Sequence, residues 1–306
     1  MKSFRVLPGI FILFILFIAL FAACNEIQPG DTPTVTVLAS PLPTDTPTSL
    51  PPTPTPVPLA ATVNGVGITM EEFEAELDRY MSAVGDVGMQ PDPNPASIVL
   101  DELISQLLFT QAAAENGYNV DDEFLQKRIG DLITVAGGEL AFENWLNDNG
   151  YTDQSFKQAL TRSIMVAWMR DQILAEVPQK AEQVHVRQIF LLDRFQADQV
   201  FTELQSGKDF ATLAESYDPV GKGDLGWFPR GFLPHPAVEE AAFNMAVGEI
   251  TPVIETSVGY HILQLLEKDP DYPLSPEARL IWQERALQEW IDLRREESEI
   301  VINTLQ

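Results

Sequence analysis

The chain is short of cysteine, of histidine and of positive charge, and each shortage removes a class of chemistry. Cys24 is the lone cysteine among 306 residues. No disulfide can form within the chain, so the fold must stand on its core. The three histidines, His185, His235 and His261, are dispersed and have no thiol partner near them. A zinc site is therefore not expected. Lys and Arg number 19 against 45 Asp and Glu, for a formal net charge of −26. Such a surface repels polyanions, and no nucleic-acid partner is expected. Two readings of the acidity stay open. It keeps a carrier of sticky polypeptides in solution, or it serves solubility alone.

Proline, in contrast, is plentiful, with 23 residues. The first stretch of chain is apolar instead. Lys2 and Arg5 precede residues 6–23, a run rich in Phe, Ile and Leu. A charged n-region before an apolar h-region is the pattern of an export signal. It ends Leu20-Phe21-Ala22-Ala23-Cys24, which resembles the bacterial lipobox, where the leader is cut and the cysteine is lipidated. The other reading is an uncleaved membrane anchor, since the run is nearly long enough to span a bilayer. Both place the remainder outside the cytoplasm, and the reading taken here is a signal peptide over 1–23 with lipidation at Cys24. Residues 24–58 are dominated by Thr and Pro and cannot bury enough apolar surface to fold. At about 3.1 Å per residue this linker would hold the rest as much as roughly 100 Å from the membrane.

From residue 59 the patterning becomes that of a folded protein. Residues 61–69 alternate around Asn64-Gly65, a hairpin signal. Thr69 and Glu72 form a capping-box pattern. Helical spacing follows in Phe73, Leu77, Tyr80, Met81 and Val84. After Pro91, Pro93 and Pro95 comes a second helix, with Leu100, Leu103, Ile104, Leu107 and Leu108 inward. A third is marked by Phe124, Leu125, Ile129, Leu132 and Ile133, and a short one covers 139–146. The longest runs from Thr152 to about Ala175, with the stripe Phe156, Leu160, Ile164, Trp168 and Leu174. These stripes are read as an ordinary helical core.

Residues 183–192 alternate and are β-branched, as a strand does. Helices follow over 196–205, after Asp209 and over 236–243, with strands over 252–256 and 259–265. Mixed in this way, they predict an α+β unit, a small antiparallel sheet wrapped by helices. Ser275-Pro276-Glu277 starts a last helix. Trp282, Leu287, Trp290, Ile291 and Leu293 mark its apolar face, and strand-like Ile300, Val301 and Ile302 follow. Two tryptophans need more partner surface than a tail offers. The expectation is that 275–306 returns to the helical part, 59–180, and that the domain between them is an insertion.

The centre of that domain is Gly223-Asp224-Leu225-Gly226-Trp227-Phe228-Pro229-Arg230-Gly231. Glycines bracket a short apolar run, so the backbone turns, extends and turns again. Around it, in order, stand Asp209-Phe210-Ala211-Thr212-Leu213-Ala214, Asp218-Pro219, Glu240-Ala241-Ala242-Phe243, Gly248-Glu249-Ile250-Thr251-Pro252-Val253 and Gly259-Tyr260-His261-Ile262. This ordered set resembles the parvulins, peptidyl-prolyl cis–trans isomerase domains, over residues 182–268. The flanking regions more loosely resemble the extracytoplasmic parvulin foldases of the SurA and PrsA kind.

The resemblance implies rotation of X–Pro bonds in exported polypeptides, with no metal or cofactor, and helical walls that hold unfolded clients, a groove for apolar peptide. It places Leu225, Leu233 and Val238 at the proline pocket, with Phe228 and Phe243 as its aromatics. Leu233 stands for a frequent Met and Val238 for a frequent Phe. Thr256 and His261 match the polar rim, and Asp218 stands where parvulins carry Cys or Asp near the reacting carbonyl. Two departures stand out. The usual Arg-His-Ile-Leu is Arg187-Gln188-Ile189-Phe190, so a histidine pair becomes Gln188 and His261. Glutamine can hydrogen-bond to histidine and hold one tautomer but cannot titrate. The loop 218–223 is also about three residues shorter than usual. His185 is expected on the face opposite Gln188, and His235 in an exposed turn between Pro234 and Pro236. An isomerase and a non-catalytic peptide-binding module of the same fold are both compatible with these residues. A tether without clients is a third reading.

Overall fold

The computed structural model describes residues 57–303. The leader, Cys24 and the linker through residue 56 lie outside the described residues. In chain order the elements are β1 (Leu59–Val63), β2 (Val66–Thr69), α1 (Met70–Asp86), α2 (Pro95–Glu115), α3 (Asp122–Ala136), α4 (Glu139–Asp148) and α5 (Asp153–Ala175). There follow β3 (Lys180–Leu191), α6 (Arg194–Gln205), α7 (Phe210–Tyr217), β4 (Asp224–Pro229), α8 (Pro236–Asn244), β5 (Ile254–Thr256), β6 (Gly259–Pro273), α9 (Pro276–Glu296) and β7 (Ile300–Ile302). The chain is α+β, with a helical N-terminal region and small antiparallel sheets. The described residues divide into two compact units, one formed by 57–105, 136–153 and 299–303, the other by 106–135 and 154–298.

The first unit carries a three-stranded sheet in the order β2-β1-β7. Asn64 and Gly65 both adopt positive φ, 51° and 79°, as a tight two-residue hairpin turn requires. Thr69 then accepts a hydrogen bond from the Glu72 amide at 3.1 Å and starts α1. Strand β7 pairs antiparallel with β1, Val63 opposite Ile300. Asn64 reinforces that pairing, accepting from the Glu299 amide at 2.9 Å through its side chain while its own amide donates to the Glu299 carbonyl at 2.8 Å. Ala61, Val63, Ile68 and Ile104 are fully buried.

The second unit is built on a four-stranded antiparallel sheet, order β4-β3-β6-β5. Alternation along β3 divides its side chains between two cores. Val184 and Val186 join Phe228, Val238, Ala242, Phe243, Leu263 and Leu265 on one face. Ile189 and Leu191 join Ala197, Val200, Phe210 and Ala214 of α6 and α7 on the other. Asp193 and Asp209 cap those two helices, accepting from the amides of Gln196 and Thr212.

A third cluster in this unit is helical. Phe109, Ala112 and Ala113 of α2 meet Met165, Met169 and Ile173 of α5, with Leu287, Trp290 and Ile291 of α9 packed on them. Trp290 stacks on Phe109 with ring centroids 4.6 Å apart. Two expectations need correction here. Beyond Leu160 the buried stripe of α5 is Met165, Met169 and Ile173 rather than Ile164, Trp168 and Leu174. Flexible methionines fill the irregular gap, while Trp168 stays half-exposed and stacks on Tyr118 at 4.6 Å. Trp282 does not share the Trp290 face. Its indole N–H donates to the carbonyl of Arg230, 3.0 Å away, beside β4.

Candidate active site

Gln188 falls on the same face of β3 as Val184 and Val186, and His261 on the same face of β6 as Leu263 and Leu265. Both therefore point toward the core that holds Phe228, Val238 and Phe243. The His261 ring is 5% exposed as a residue. Its Nδ1 lies 3.3 Å from Gln188 Oε1 and its Nε2 lies 3.0 Å from Thr256 Oγ1. The Thr256 hydroxyl is itself fixed by the β5–β6 turn, donating to the Gly259 carbonyl at 3.0 Å and accepting from the Val258 amide at 3.3 Å. Because that hydroxyl proton is committed to Gly259, the bond at Nε2 requires an Nε2–H, and in the neutral ring the bare Nδ1 then accepts from Gln188 with its amide turned over.

The imidazole is surrounded as well as bonded. Phe190 lies 4.9 Å away between ring centroids and is 39% exposed. His235, expected in an exposed turn, is half-buried, and its ring lies 5.8 Å from that of His261. Pro236 begins α8 and leaves His235 as the N-cap residue, which directs its ring inward. Burial first, and the His235 charge second, hold His261 below the usual histidine range. The folded chain thus prefers the neutral ring. That preference contributes fully to stability above pH 6.5 and is lost as the pH falls below it. Replacing His235 by glutamine is expected to raise the His261 midpoint toward 6.5, read from the imidazole C–H shifts by NMR. An unchanged midpoint would mean that burial alone sets it.

The same sheet face carries an apolar cluster. Phe228, Val238 and Phe243 are buried within it. Leu225 and Leu233 are only partly buried and pack on that core from above. Phe243 meets Phe228 edge-on at 6.1 Å and carries the Arg230 guanidinium 4.2 Å above its ring. The turn bearing Leu233 is held by a residue the sequence reading did not single out. The Glu239 carboxylate accepts from the amides of Gly231, Phe232 and Leu233 at 2.6, 2.9 and 3.1 Å. Its sequence signal, an acid in the first turn of a helix, is shared with many ordinary helix starts.

Asp218 is exposed at the end of α7. Its carboxylate accepts from the amides of Gly221 at 2.9 Å and Gly223 at 3.1 Å. Those bonds hold it below the usual carboxylate range, Gly221 contributing most. The Gly223 carbonyl in turn accepts from the Gln188 amide at 2.7 Å. Asp218 thus reaches Gln188 through the folded loop. Gly223 has φ 69°, and a Cβ there would collide with the Gln188 carbonyl, so the close docking requires glycine. His185, on the opposite face of β3, is tied to Asp224 at 2.8 Å and leans on Trp227. Among the described residues, no group of His, Cys, Asp and Glu has the geometry of a metal site.

Two family models match this chain. A family model described as a PPIC-type PPIASE domain matches residues 173–267, and one described as a SurA-like N-terminal domain matches residues 7–170. The foldase protein PrsA of Halalkalibacterium halodurans is 28% identical over 219 residues, which cover 70% of this chain and 55% of that protein. The chaperone SurA of Aromatoleum aromaticum is 26% identical over 257 residues, 69% of this chain and 56% of that one. This chain spans about half the length of the curated relatives it matches. The solved structure of the peptidylprolyl isomerase PrsA from Bacillus cereus aligns with 78% of this chain and 89% of its own at 23% identity, with a TM-score of 0.44.

Proposed function

We propose that this chain, which belongs to the family of the SurA-like N-terminal domain and carries a PPIC-type PPIase domain, isomerises X–Pro bonds in exported polypeptides and holds those polypeptides while they fold. The observation that carries this reading is His261, fixed between Gln188 and Thr256 on the sheet face that also bears the apolar cluster on which Leu225 and Leu233 pack. Rotation about an X–Pro amide sacrifices resonance against a barrier of about 20 kcal/mol. The twisted amide is less dipolar than the planar one. An apolar seat for the proline ring, with few fixed polar groups beside the carbonyl, therefore binds it better than the ground state.

In this reading Leu225, Leu233 and Val238 seat the ring, with Phe228 and Phe243 beneath. His261, Thr256 and Gln188 face the amide, and Asp218 shapes the loop at its border. No covalent intermediate is needed. Residues 182–268 form the isomerase domain inserted in a support formed by 59–180 and 275–306. The pairing of β7 with β1 and the stacking of Trp290 on Phe109 favour that arrangement. Lipidation at Cys24 would hold the molecule at the outer face of a membrane, a reading motivated by the leader sequence. No helix among the described residues is long and apolar enough to cross a membrane.

A second reading, a peptide-binding chaperone without turnover, is favoured by Gln188, which cannot titrate, and by the smaller Val238. A protease-free assay of cis–trans exchange in a proline peptide, run beside an aggregation assay with an unfolded client, separates the two. Acceleration above the uncatalysed rate is the expected result. No acceleration with aggregation still suppressed would establish the binding module, and neither effect would leave a tether. Gln188→His is expected to change the exchange rate by less than about tenfold, since the pocket and His261 remain. A larger gain would show that the missing imidazole limits the site.

A further inference from the structure

The turn from Arg230 to Leu233 carries one of the leucines that pack on the apolar cluster, and it is gripped from two sides. From within the domain, Glu239 takes its three amides. From outside, α9 takes its carbonyls. Trp282 donates its indole N–H to the Arg230 carbonyl at 3.0 Å, and the Arg285 guanidinium donates to the Gly231 carbonyl at 2.6 Å. Gly231 has φ 75°, and a Cβ there would collide with that guanidinium, so the contact is a close approach rather than a grazing one. Helix α9 begins at Pro276, beyond residue 267, where the match to the PPIC-type domain ends. It is itself anchored, because Leu287, Trp290 and Ile291 pack on the helical cluster around Phe109 and Met169.

We infer that α9 completes the pocket from outside the isomerase domain, with Trp282 and Arg285 acting as positioning residues for Leu233. The inference rests on the reading of the apolar cluster as the seat of a proline ring. The physical argument is one of freedom. Leu233 is only partly buried, so its own packing restrains the turn weakly. Backbone carbonyls bonded to an anchored helix supply the missing restraint, and a preorganised pocket loses less free energy on binding its ligand. The Arg230 side chain, which lies over Phe243, starts from the same turn, so release of the carbonyls disturbs the pocket floor as well as its lip.

The test uses the full chain and a short soluble proline peptide. Arg285→Ala is expected to raise KM by about fivefold, ~1 kcal/mol, with kcat within about twofold. Trp282→Phe, which keeps a ring but removes the N–H, is expected to act in the same direction and more weakly. Arg285→Lys, which still offers a donor to the Gly231 carbonyl, is expected to restore most of the affinity. The substituted bonds are exposed, so the melting temperature should move by no more than about 3 °C. A KM unchanged in the double variant Arg285→Ala/Trp282→Phe would overturn the inference. If the parent chain shows no turnover at all, the catalytic reading fails separately. The same variants are then compared by peptide Kd, where weaker binding supports a positioning role and equal binding refutes it.

Discussion

Replacing His261 by alanine is expected to lower kcat/KM for a proline peptide by roughly 100-fold, the usual cost of removing one preorganised polar group from a reacting centre. The size of the effect follows from how the ring is held. It is buried, bonded at both nitrogens and kept neutral, so it needs no reorganisation when the amide twists. The loss should fall in kcat. Leu225 and Leu233, the proposed seat of the proline ring, do not depend on the imidazole, and peptide Kd should change by no more than about threefold. Thr256→Val leaves Nε2 without its partner while keeping the ring in place, and a smaller loss, about tenfold, is expected. Measuring kcat, KM and Kd on the three proteins separates the cases. If kcat is unaffected in His261→Ala, the imidazole takes no part in rotation, and the apolar seat alone accounts for any turnover.

Much of this arrangement was legible in short stretches of sequence. Asn64-Gly65 announced its hairpin because few residues adopt two successive positive φ values. Thr69, Asp209 and Ser275 announced helix starts because their side chains satisfy amides three residues on. The bond between Gln188 and His261 was foreseeable once both were placed on one sheet face, since glutamine offers donor and acceptor alike. What escaped was held by contacts with no local signature. Glu239 reads as an ordinary acid at a helix start, yet its partners are amides six to eight residues earlier, across a turn. His235 reads as a turn residue between prolines, and only the position of α8 directs it toward His261. The shift of the α5 stripe to Met165 and Met169 depends on what α2 and α9 present to it. Trp282 and Trp290 lie eight residues apart on one helix and would be assigned one face by periodicity. The structure uses them for different partners, a backbone carbonyl and an aromatic ring.

Phe228→Ala is expected to destabilise the second unit by about 3–5 kcal/mol, as full truncation of a buried phenylalanine does. Phe228 is completely buried, and its ring lies 6.1 Å from that of Phe243 and 6.5 Å from that of Phe232. Its strand makes the loss harder to absorb. Among the described residues β4 is the outermost strand of its sheet and pairs with β3 alone, Val184 opposite Phe228. With one neighbour, the strand relies on the core beneath it to stay in register. A loss of this size is a large fraction of the 5–15 kcal/mol available to a typical domain, and the melting temperature should fall by more than about 10 °C. Function should follow the strand. Leu225 lies on β4 and Leu233 just after it, so peptide affinity should weaken even at temperatures where the variant is still folded. Val220→Ala supplies the contrast. Val220 is 95% exposed in the preceding loop, and its removal should shift melting by less than about 2 °C. A Phe228→Ala protein that melts with the parent would mean that neighbouring side chains collapse into the vacated volume. The floor of the proposed proline seat would then be too plastic to prefer a twisted amide over a planar one.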